Sequence, residues 1–573
     1  MNKRWVLTET NEQAVDELYE DLRINRILCK LLVQREVKTF EDAKKFFRPS
    51  LESHLYDPLL MEDMDKAVER IDRAMQNKEK ILVYGDYDVD GTTAVAVLYG
   101  FIKDLYFYVD YYVPDRYKEG YGISTEGINW AKERGFSLII AVDCGIKAND
   151  KVQYALDLGI DFIICDHHRP GDELPPAYAV LDPKRDDCNY PFTELSGCGI
   201  AFKLVQALAA NKHLSFKKVA KYLDLVAVSI AADIVPIIDE NRVLAYYGLR
   251  QLNRNPRPGL RSLMELNPIS RDLTISDIVF IIAPRINAAG RMDDARQAVR
   301  LLLSQEGTSA KRNADELQAR NSERKIVDGS ITEEALLMVE NDPMFHNKKT
   351  TVLYKPDWHK GVIGIVASRL IERYFRPTIV LTATNNIVSG SARSVPGFDI
   401  YNAIQECSDL LDQFGGHKYA AGLTMKEENL LEFIARFEAV VADTIDEELL
   451  IPEIQIDAEL PLRDISTKFY QILHQFAPFG PGNTRPVFMS TNVTTTKWTT
   501  IVGNNHLKLY LKQDNSQVVK GIAYNMGHLY EHLINGESFD VCFSLEENNH
   551  NNTSSIQVNV RDILLHSNKP VNQ

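Results

Sequence analysis

Three short apolar runs constrain this chain most: residues 81–84, 138–142 and 162–165. Each run is continuous rather than alternating, the mark of a strand covered on both faces. Helical stretches lie between them, so they predict a parallel sheet clad in helices. Each run also delivers the chain into acids. The first leads into Gly85-Asp86-Tyr87-Asp88-Val89-Asp90-Gly91, the second into Asp143-Cys144-Gly145, and the third into Asp166-His167-His168. Ligands of open parallel sheets bind in the crevice beyond the strand carboxyl ends, so these side chains are expected to converge there. Crowded carboxylates repel one another unless cations sit between them. Asp233, between the apolar stretch 223–232 and Pro236, is placed to complete the set.

A single Asp in such a turn is more often a helix cap. Three acidic clusters on three strand ends, one with a His pair, reverse that reading. A metal-free phosphate cradle at residues 85–91 is disfavoured, because its alternating acids would repel phosphate. Carboxylates mixed with imidazole suit Mn²⁺ better than Mg²⁺, which favours an all-oxygen shell. Two such ions, about 3.5–4 Å apart, would polarise a phosphate and generate hydroxide, which points to phosphoester or phosphoanhydride hydrolysis. Cys144 and Cys165 have no activating neighbour and read as packing residues.

The rest of the chain reads as several units. Its 573 residues suffice for three to four domains at about 150 residues each. Residues 1–75 read as helices packed on something larger. Residues 199–300 are mainly helical, and 308–340 form one or two long connecting helices. A second α/β unit runs from Thr351 to about residue 450. Beyond Pro452, short alternating runs such as Leu507-Lys508-Leu509-Tyr510-Leu511-Lys512 predict a small all-β barrel. Within it the stretch 546–555 is expected to be a hairpin loop, and Trp498 and Tyr510 core residues rather than a stacking platform. The boundaries expected are 1–305, 306–345, 346–450 and 451–573.

The formal charge of −15 opposes nucleic-acid binding at first sight. Net charge does not settle local binding, however, and an acid cluster is neutralised by its cations. Residues 242–325 hold 15 Lys/Arg, 13 of them Arg, against 9 Asp/Glu, and are expected to line an approach for phosphates. Seven cysteines without a CxxC pair suggest reduced thiols and a cytoplasmic setting. No apolar run is long enough for a membrane span, and no secretory leader is expected.

With the Asp166-His167-His168 triplet in place, the sequence resembles the DHH phosphoesterase superfamily, and within it the RecJ exonucleases. The matching pieces include Val83 through Gly91, Val142-Asp143-Cys144-Gly145, Ala232-Asp233-Ile234-Val235-Pro236 and Pro284 through Met292. Gly361 through Arg369, Ser389-Gly390-Ser391-Ala392-Arg393-Ser394 and Gly415-Gly416-His417 are similar to a DHH-associated domain. The resemblance implies an α/β fold: a parallel-sheet DHH domain, a long helical connector, a smaller α/β DHH-associated domain and an OB-fold β-barrel. It implies that Asp88, Asp90, Asp143, His167 and Asp233 hold two Mn²⁺ or Mg²⁺ ions, with Asp86 as a further ligand. Smaller superfamily members carry His where Tyr84 stands, and Asp86 is expected to compensate. His168 and Asp143 are implied as catalytic. Ser391 and Arg393, joined by Arg116 and Arg285, are implied at a 5′-terminal phosphate, Arg291 at the backbone and His417 at the terminal nucleotide.

The implied activity is a 5′→3′ exonuclease that releases 5′-mononucleotides from single-stranded DNA. A role in DNA repair and recombination follows from the same resemblance, alongside single-strand-binding protein and a helicase. One alternative is a DHH phosphoesterase of short oligoribonucleotides, cyclic dinucleotides or pyrophosphate; the barrel and the chain length argue against it. Another is an inactive DNA-binding scaffold, which the intact ligand set opposes.

Overall fold

A computed structural model describes residues 3–292, 294–384, 386–550 and 553–566. The catalytic sheet has five parallel strands in the spatial order Val109–Tyr112, Lys80–Gly85, Phe136–Val142, Asp161–Cys165, Ala179–Leu181. The chain leaves Lys80–Gly85 to one side and then returns on the other. The switch point thus falls between Lys80–Gly85 and Phe136–Val142, the place where such sheets open a crevice. The three strands that deliver acids are neighbours, and their carboxyl ends face this crevice. Their side chains are buried on both faces, against helices such as Val89–Leu105 and Gly197–Asn211 on one side and Thr125–Glu133 and Asn149–Asp157 on the other. That two-sided burial is why the sequence runs are continuous. Cys144 and Cys165 are fully buried in these cores.

Helices joined by short loops make up most of residues 197–292 and 294–303. One uninterrupted 35-residue helix, Gly307–Asn341, then leads out of the catalytic domain. At 1.5 Å per residue it is roughly 52 Å long. Its last turns, with Ile331, Ala335 and Val339, pack into the second α/β unit. That unit has five strands in the order Gln413–His417, Ala420–Lys426, Ile387–Arg393, Thr378–Thr384, Thr351–Tyr354. Only the last pair is parallel; the other three pairings are antiparallel.

The C-terminal strands form a seven-stranded sheet. It closes on itself where Thr494 and Thr495 pair with Lys512 and Leu511. The helices Glu12–Leu22, Arg26–Val33 and Phe40–Phe47 share this barrel's core: Leu28, Leu31 and Leu32 lie in one cluster with Phe488, Leu509 and Phe543. The segment Arg4–Leu7 pairs in parallel with Glu453–Ile456 just before the barrel.

Two local expectations for the barrel are corrected. Most of the stretch 546–555 is strand rather than loop: Phe539–His550 and Thr553–Leu565 stay paired from Glu546↔Gln557 to His550↔Thr553. Polar residues tolerate this because one face of the hairpin is wet. Residues 551–552 lie outside the described part. Trp498 is 66% exposed in a turn, not in the core, whereas Tyr510 is half-buried on the strand His506–Lys512. No helix among the described residues is long and apolar enough to cross a membrane.

Candidate metal centre and anion pocket

The site begins where Lys80–Gly85 turns into the helix Val89–Leu105. Asp88 caps that helix, its Oδ1 accepting from Gly91 N at 3.0 Å. Asp90, in the first helical turn, is fixed by the start of another helix. Its Oδ2 accepts from Gly197 N at 2.7 Å, and its Oδ1 from Cys198 N at 2.8 Å and Ser229 Oγ at 2.7 Å. Asp143 adopts a left-handed conformation, φ 60°, hard against Gly197. A Cβ at Gly197 would stand 2.4 Å from Asp143 Oδ1, so this position requires glycine. Asp233 is the C-cap of the helix Leu223–Ala232.

His167 stands among these acids. Its Nε2 is 3.3 Å from Asp143 Oδ1, 3.7 Å from Asp233 Oδ2 and 3.8 Å from Asp90 Oδ2. Both its ring nitrogens and Asp86 Oδ1 are buried without a hydrogen-bond partner. Buried polar atoms are almost always partnered, so three orphans in one crevice signal a missing ligand. The donor atoms form three overlapping groups, each spanning no more than 4.8 Å: Asp86, Asp88, Asp143; Asp90, His167, Asp233; and Asp143, His167, His168. Burial, reinforced by Asp88, pushes the Asp86 carboxyl well above the usual range. Burial and the charges of Asp90 and Asp88 do the same for Asp143 and push Asp233 up to about 8. Bound cations reverse that trend. The orphaned atoms and the mixed carboxylate–imidazole set therefore fit divalent cations. Tyr84, the last strand residue before Gly85, turns away from the acids: its Oη engages Gly122 O at 3.2 Å and Ser124 Oγ at 3.3 Å.

His168 is held differently. Its Nδ1 lies 2.7 Å from Asp166 Oδ1, and its Nε2 is 3.3 Å from Tyr121 Oη. Burial lowers its pKa, but the Asp166 hydrogen bond and the surrounding acids outweigh this and raise it to about 9. Asp166 is itself tied down by Ile146 N, at 2.9 Å.

A second cluster is cationic. Ser391 and Arg393 share the strand Ile387–Arg393, where Arg393 Nη1 donates to Ser391 Oγ at 3.1 Å and to Ala392 O at 2.7 Å. Gly364, in the first turn of the helix Ile363–Tyr374, faces both: a Cβ there would be 2.8 Å from Ser391 Oγ and 3.0 Å from Arg393 Nη2. Free N–H groups of a helix start and a guanidinium thus border one small space, a ready anion site. Arg291 joins them. Burial and the nearby Arg116, Arg324 and Arg393 push its pKa down to about 10; burial and Arg116 lower that of Arg393. Arg291 also donates through Nη1 to Gly361 O at 3.1 Å, just before the same helix start, so positive charge gathers on this side of the site. Arg116 lies over the Tyr87 ring, 5.1 Å from its centroid, and Tyr87 sits between Asp86 and Asp88. The cationic pocket therefore abuts the acid cluster.

Two expected residues stand apart. Arg285 is buried and turned inward, donating to Gln318 Oε1 at 2.7 Å and to Ile281 O. His417 is exposed on Gln413–His417, in one register row with Ala420 and Arg393, roughly 10 Å from the latter by two strand spacings. The arginines of residues 242–325 are largely consumed by internal partners: Arg257 by Asp224, Arg271 by Asp277, Arg296 by Asp294 and Arg324 by Asp328. Gly197, Cys198 and Ser229, the partners of Asp90 and Asp143, carry no mark of a site in the sequence. Ser196-Gly197-Cys198-Gly199 does read as a helix start. Nothing in the spacing marks Tyr121.

Three family descriptions match this chain: DHH family, N-terminal domain, over residues 80–230; DHHA1 domain over 347–443; and RecJ OB domain over 456–562. The single-stranded-DNA-specific exonuclease RecJ of Bacillus subtilis is 38% identical over 563 residues, 98% of this chain and 70% of that protein. RecJ of Escherichia coli is 34% identical, over 87% of this chain and 89% of the relative. The crystal structure of Thermus thermophilus RecJ in complex with Mn²⁺ superposes with a TM-score of 0.84 at 28% identity, covering 99% of this chain and 80% of that one.

Proposed function

The chain belongs to the RecJ family of DHH phosphoesterases, and from that premise we propose that it trims single-stranded DNA from its 5′ end, releasing 5′-mononucleotides. It is a metal-dependent single-stranded-DNA exonuclease, like the relatives it matches. The observation that supports the polarity is the proximity of the two clusters: Arg116, beside the cationic group of Ser391, Arg393 and Arg291, lies over Tyr87, between two acids of the acid–imidazole centre.

In this reading a 5′-phosphate docks on Ser391, Arg393 and the helix start at Gly364. Arg116 and Arg291 add charge, Arg285 braces the helix behind them, and His417 lies along the path of the terminal nucleotide. Asp86, Asp88, Asp90, Asp143, His167 and Asp233 hold two divalent cations, Mn²⁺ in preference to Mg²⁺ given the imidazole in the set. When bound, they supply Lewis-acid charge to a phosphoryl oxygen and bring the pKa of a water toward neutrality. Asp166 accepts the Nδ1–H of His168 and fixes the ring. His168 Nε2–H then donates to a non-bridging oxygen of the scissile phosphate as charge develops there. Asp143, shared between donor groups, keeps the cluster registered.

The working plan proposed is 1–305, 306–345, 346–450 and 451–573, with the first three helices lending their apolar faces to the last unit. Action in DNA repair and recombination, in the cytoplasm and beside single-strand-binding protein and a helicase, is part of the same proposal. Its test is digestion of 5′- and 3′-labelled oligonucleotides with Mn²⁺, Mg²⁺ or chelator. Immediate release of 5′ label as mononucleotide, lost with chelator and absent from duplex, is expected. Release of the 3′ label first would reverse the polarity; cleavage of short RNA alone would replace the substrate.

A further inference from the structure

Asp233 is followed by Ile234 in the left-handed region, φ 60°, with its side chain 62% exposed. A β-branched residue is strained there and stays only where its surroundings hold it. The restraint comes from two sides. Within the catalytic domain, buried Asn241 donates through Nδ2 to Pro236 O at 3.0 Å and Glu194 O at 2.6 Å. From the barrel, Pro481 O accepts from Ile237 N at 2.7 Å. Pro481 lies between the helix Thr467–His474 and the strand Phe488–Thr495, inside the stretch matched by the RecJ OB domain.

The barrel loop is stiff and closely seated. Gly480 and Asn483 exchange backbone hydrogen bonds of 3.0 Å in both directions. Fully buried Asn483 donates through Nδ2 to Phe476 O at 2.8 Å and Pro478 O at 2.9 Å. A Cβ on Gly480 would stand 2.6 Å from Ile237 Cγ1, and one on Gly482 would stand 3.0 Å from Ile238 Cγ2. One turn further along the chain, buried Arg242 fastens the same junction, donating to Phe476 O at 2.8 Å and Phe46 O at 3.0 Å.

We propose that the barrel loop 480–483 is a positioning element for Asp233: it clamps residues 236–238 and thereby sets the Asp233 carboxylate in the metal cluster. The inference rests on reading Asp233 as a metal ligand. The barrel then contributes to cation binding, a role separable by mutation from the stacking of single-stranded bases on exposed aromatics that barrels of the OB type use.

The test uses the full chain with Gly480→Val and the milder Gly480→Ala. Three quantities are read: the Mn²⁺ concentration for half-maximal activity, the rise in melting temperature on adding Mn²⁺, and affinity for single-stranded DNA in chelator. Half-saturation is expected to rise roughly 10- to 100-fold, as for other groups that orient metal ligands. The Mn²⁺-dependent rise in melting temperature shrinks, excess Mn²⁺ restores kcat, and DNA affinity stays level. Adding Ile237→Ala to Gly480→Ala removes the Cγ1 that the new Cβ strikes and brings half-saturation back. Trp498→Ala removes an exposed aromatic of the kind on which single-stranded bases stack, and is expected to do the converse, weakening DNA and leaving Mn²⁺ half-saturation unchanged. Wild-type half-saturation in both Gly480 variants, or proportional loss of DNA and Mn²⁺ affinity, overturns the proposal. Unchanged half-saturation in Asp233→Ala instead removes the ligand reading beneath it.

Discussion

At the scale of single residues, the centre combines groups that were legible in the sequence with groups that were not. Asp88, Asp143 and His167 were readable because each follows an apolar run that can only be a buried strand. The hydrogen bonds that orient them were hidden, because Gly197, Cys198 and Ser229 are remote in sequence and joined to Asp90 only by folding. Asp143 touches two donor groups, so Asp143→Ala is expected to lower kcat by more than the roughly 100-fold typical of outer-shell partners; single-turnover cleavage in saturating Mn²⁺ measures this. Arg393 offers a charged hydrogen bond worth about 1.5–3 kcal/mol. Arg393→Ala should therefore cost about 10- to 100-fold in kcat/KM on 5′-phosphorylated DNA and little on 5′-hydroxyl DNA. Equal losses on both substrates would place Arg393 outside the phosphate pocket.

At the scale of elements, one helix links catalysis to stability. The start of Gly197–Asn211 holds Asp90, and one of its middle turns carries Lys203. Lys203 and Glu240 form an ion pair of 3.0 Å, both fully buried, and Lys203 Nζ also donates to Tyr56 O at 2.6 Å. Removing one partner of such a pair strands a buried charge and costs about 3–5 kcal/mol. Lys203→Met is expected to lose about that much in denaturant unfolding, whereas Lys203→Met with Glu240→Gln loses less. The acid cluster makes a second prediction. Its crowded carboxylates are relieved by cations, so Mn²⁺ at a hundredfold above its dissociation constant should stabilise the fold by about 2.7 kcal/mol. A melting temperature indifferent to chelator would contradict this. The expectation that the opening residues form helices packed on something larger holds for Glu12–Leu22, Arg26–Val33 and Phe40–Phe47, which bury one face in the barrel. It could not name their partner, because a stripe records that a face is covered and not by what.

At the scale of the whole molecule, the two ends of the described chain form one body. Leu28, Leu31 and Leu32 are fully buried against the barrel, and each contributes roughly 1.5–3 kcal/mol by leaving water. A chain lacking residues 1–50 is therefore expected to expose the barrel core. Limited proteolysis should then cut within residues 453–565 at protease levels that leave the intact chain whole; equal resistance would show that the barrel stands alone. Trp498 and the hairpin Phe539–Leu565 mark where composition misled. Aromatic content suggested core, and a polar run suggested loop, but a barrel wet on its outer face accepts both at its surface.

The parallel pair Arg4–Leu7 with Glu453–Ile456 also sets a timetable. Arg4 lies opposite Glu453, so 449 residues separate the two halves of that ladder. At roughly 5–20 residues per second, a ribosome needs roughly 20–90 seconds to deliver the second strand after the first. Through that interval the opening helices emerge with their apolar faces unclaimed while the catalytic domain between them and the barrel is already able to fold. Residues 12–47 are thus made well before the barrel that covers them, and their apolar faces find their place only when it arrives.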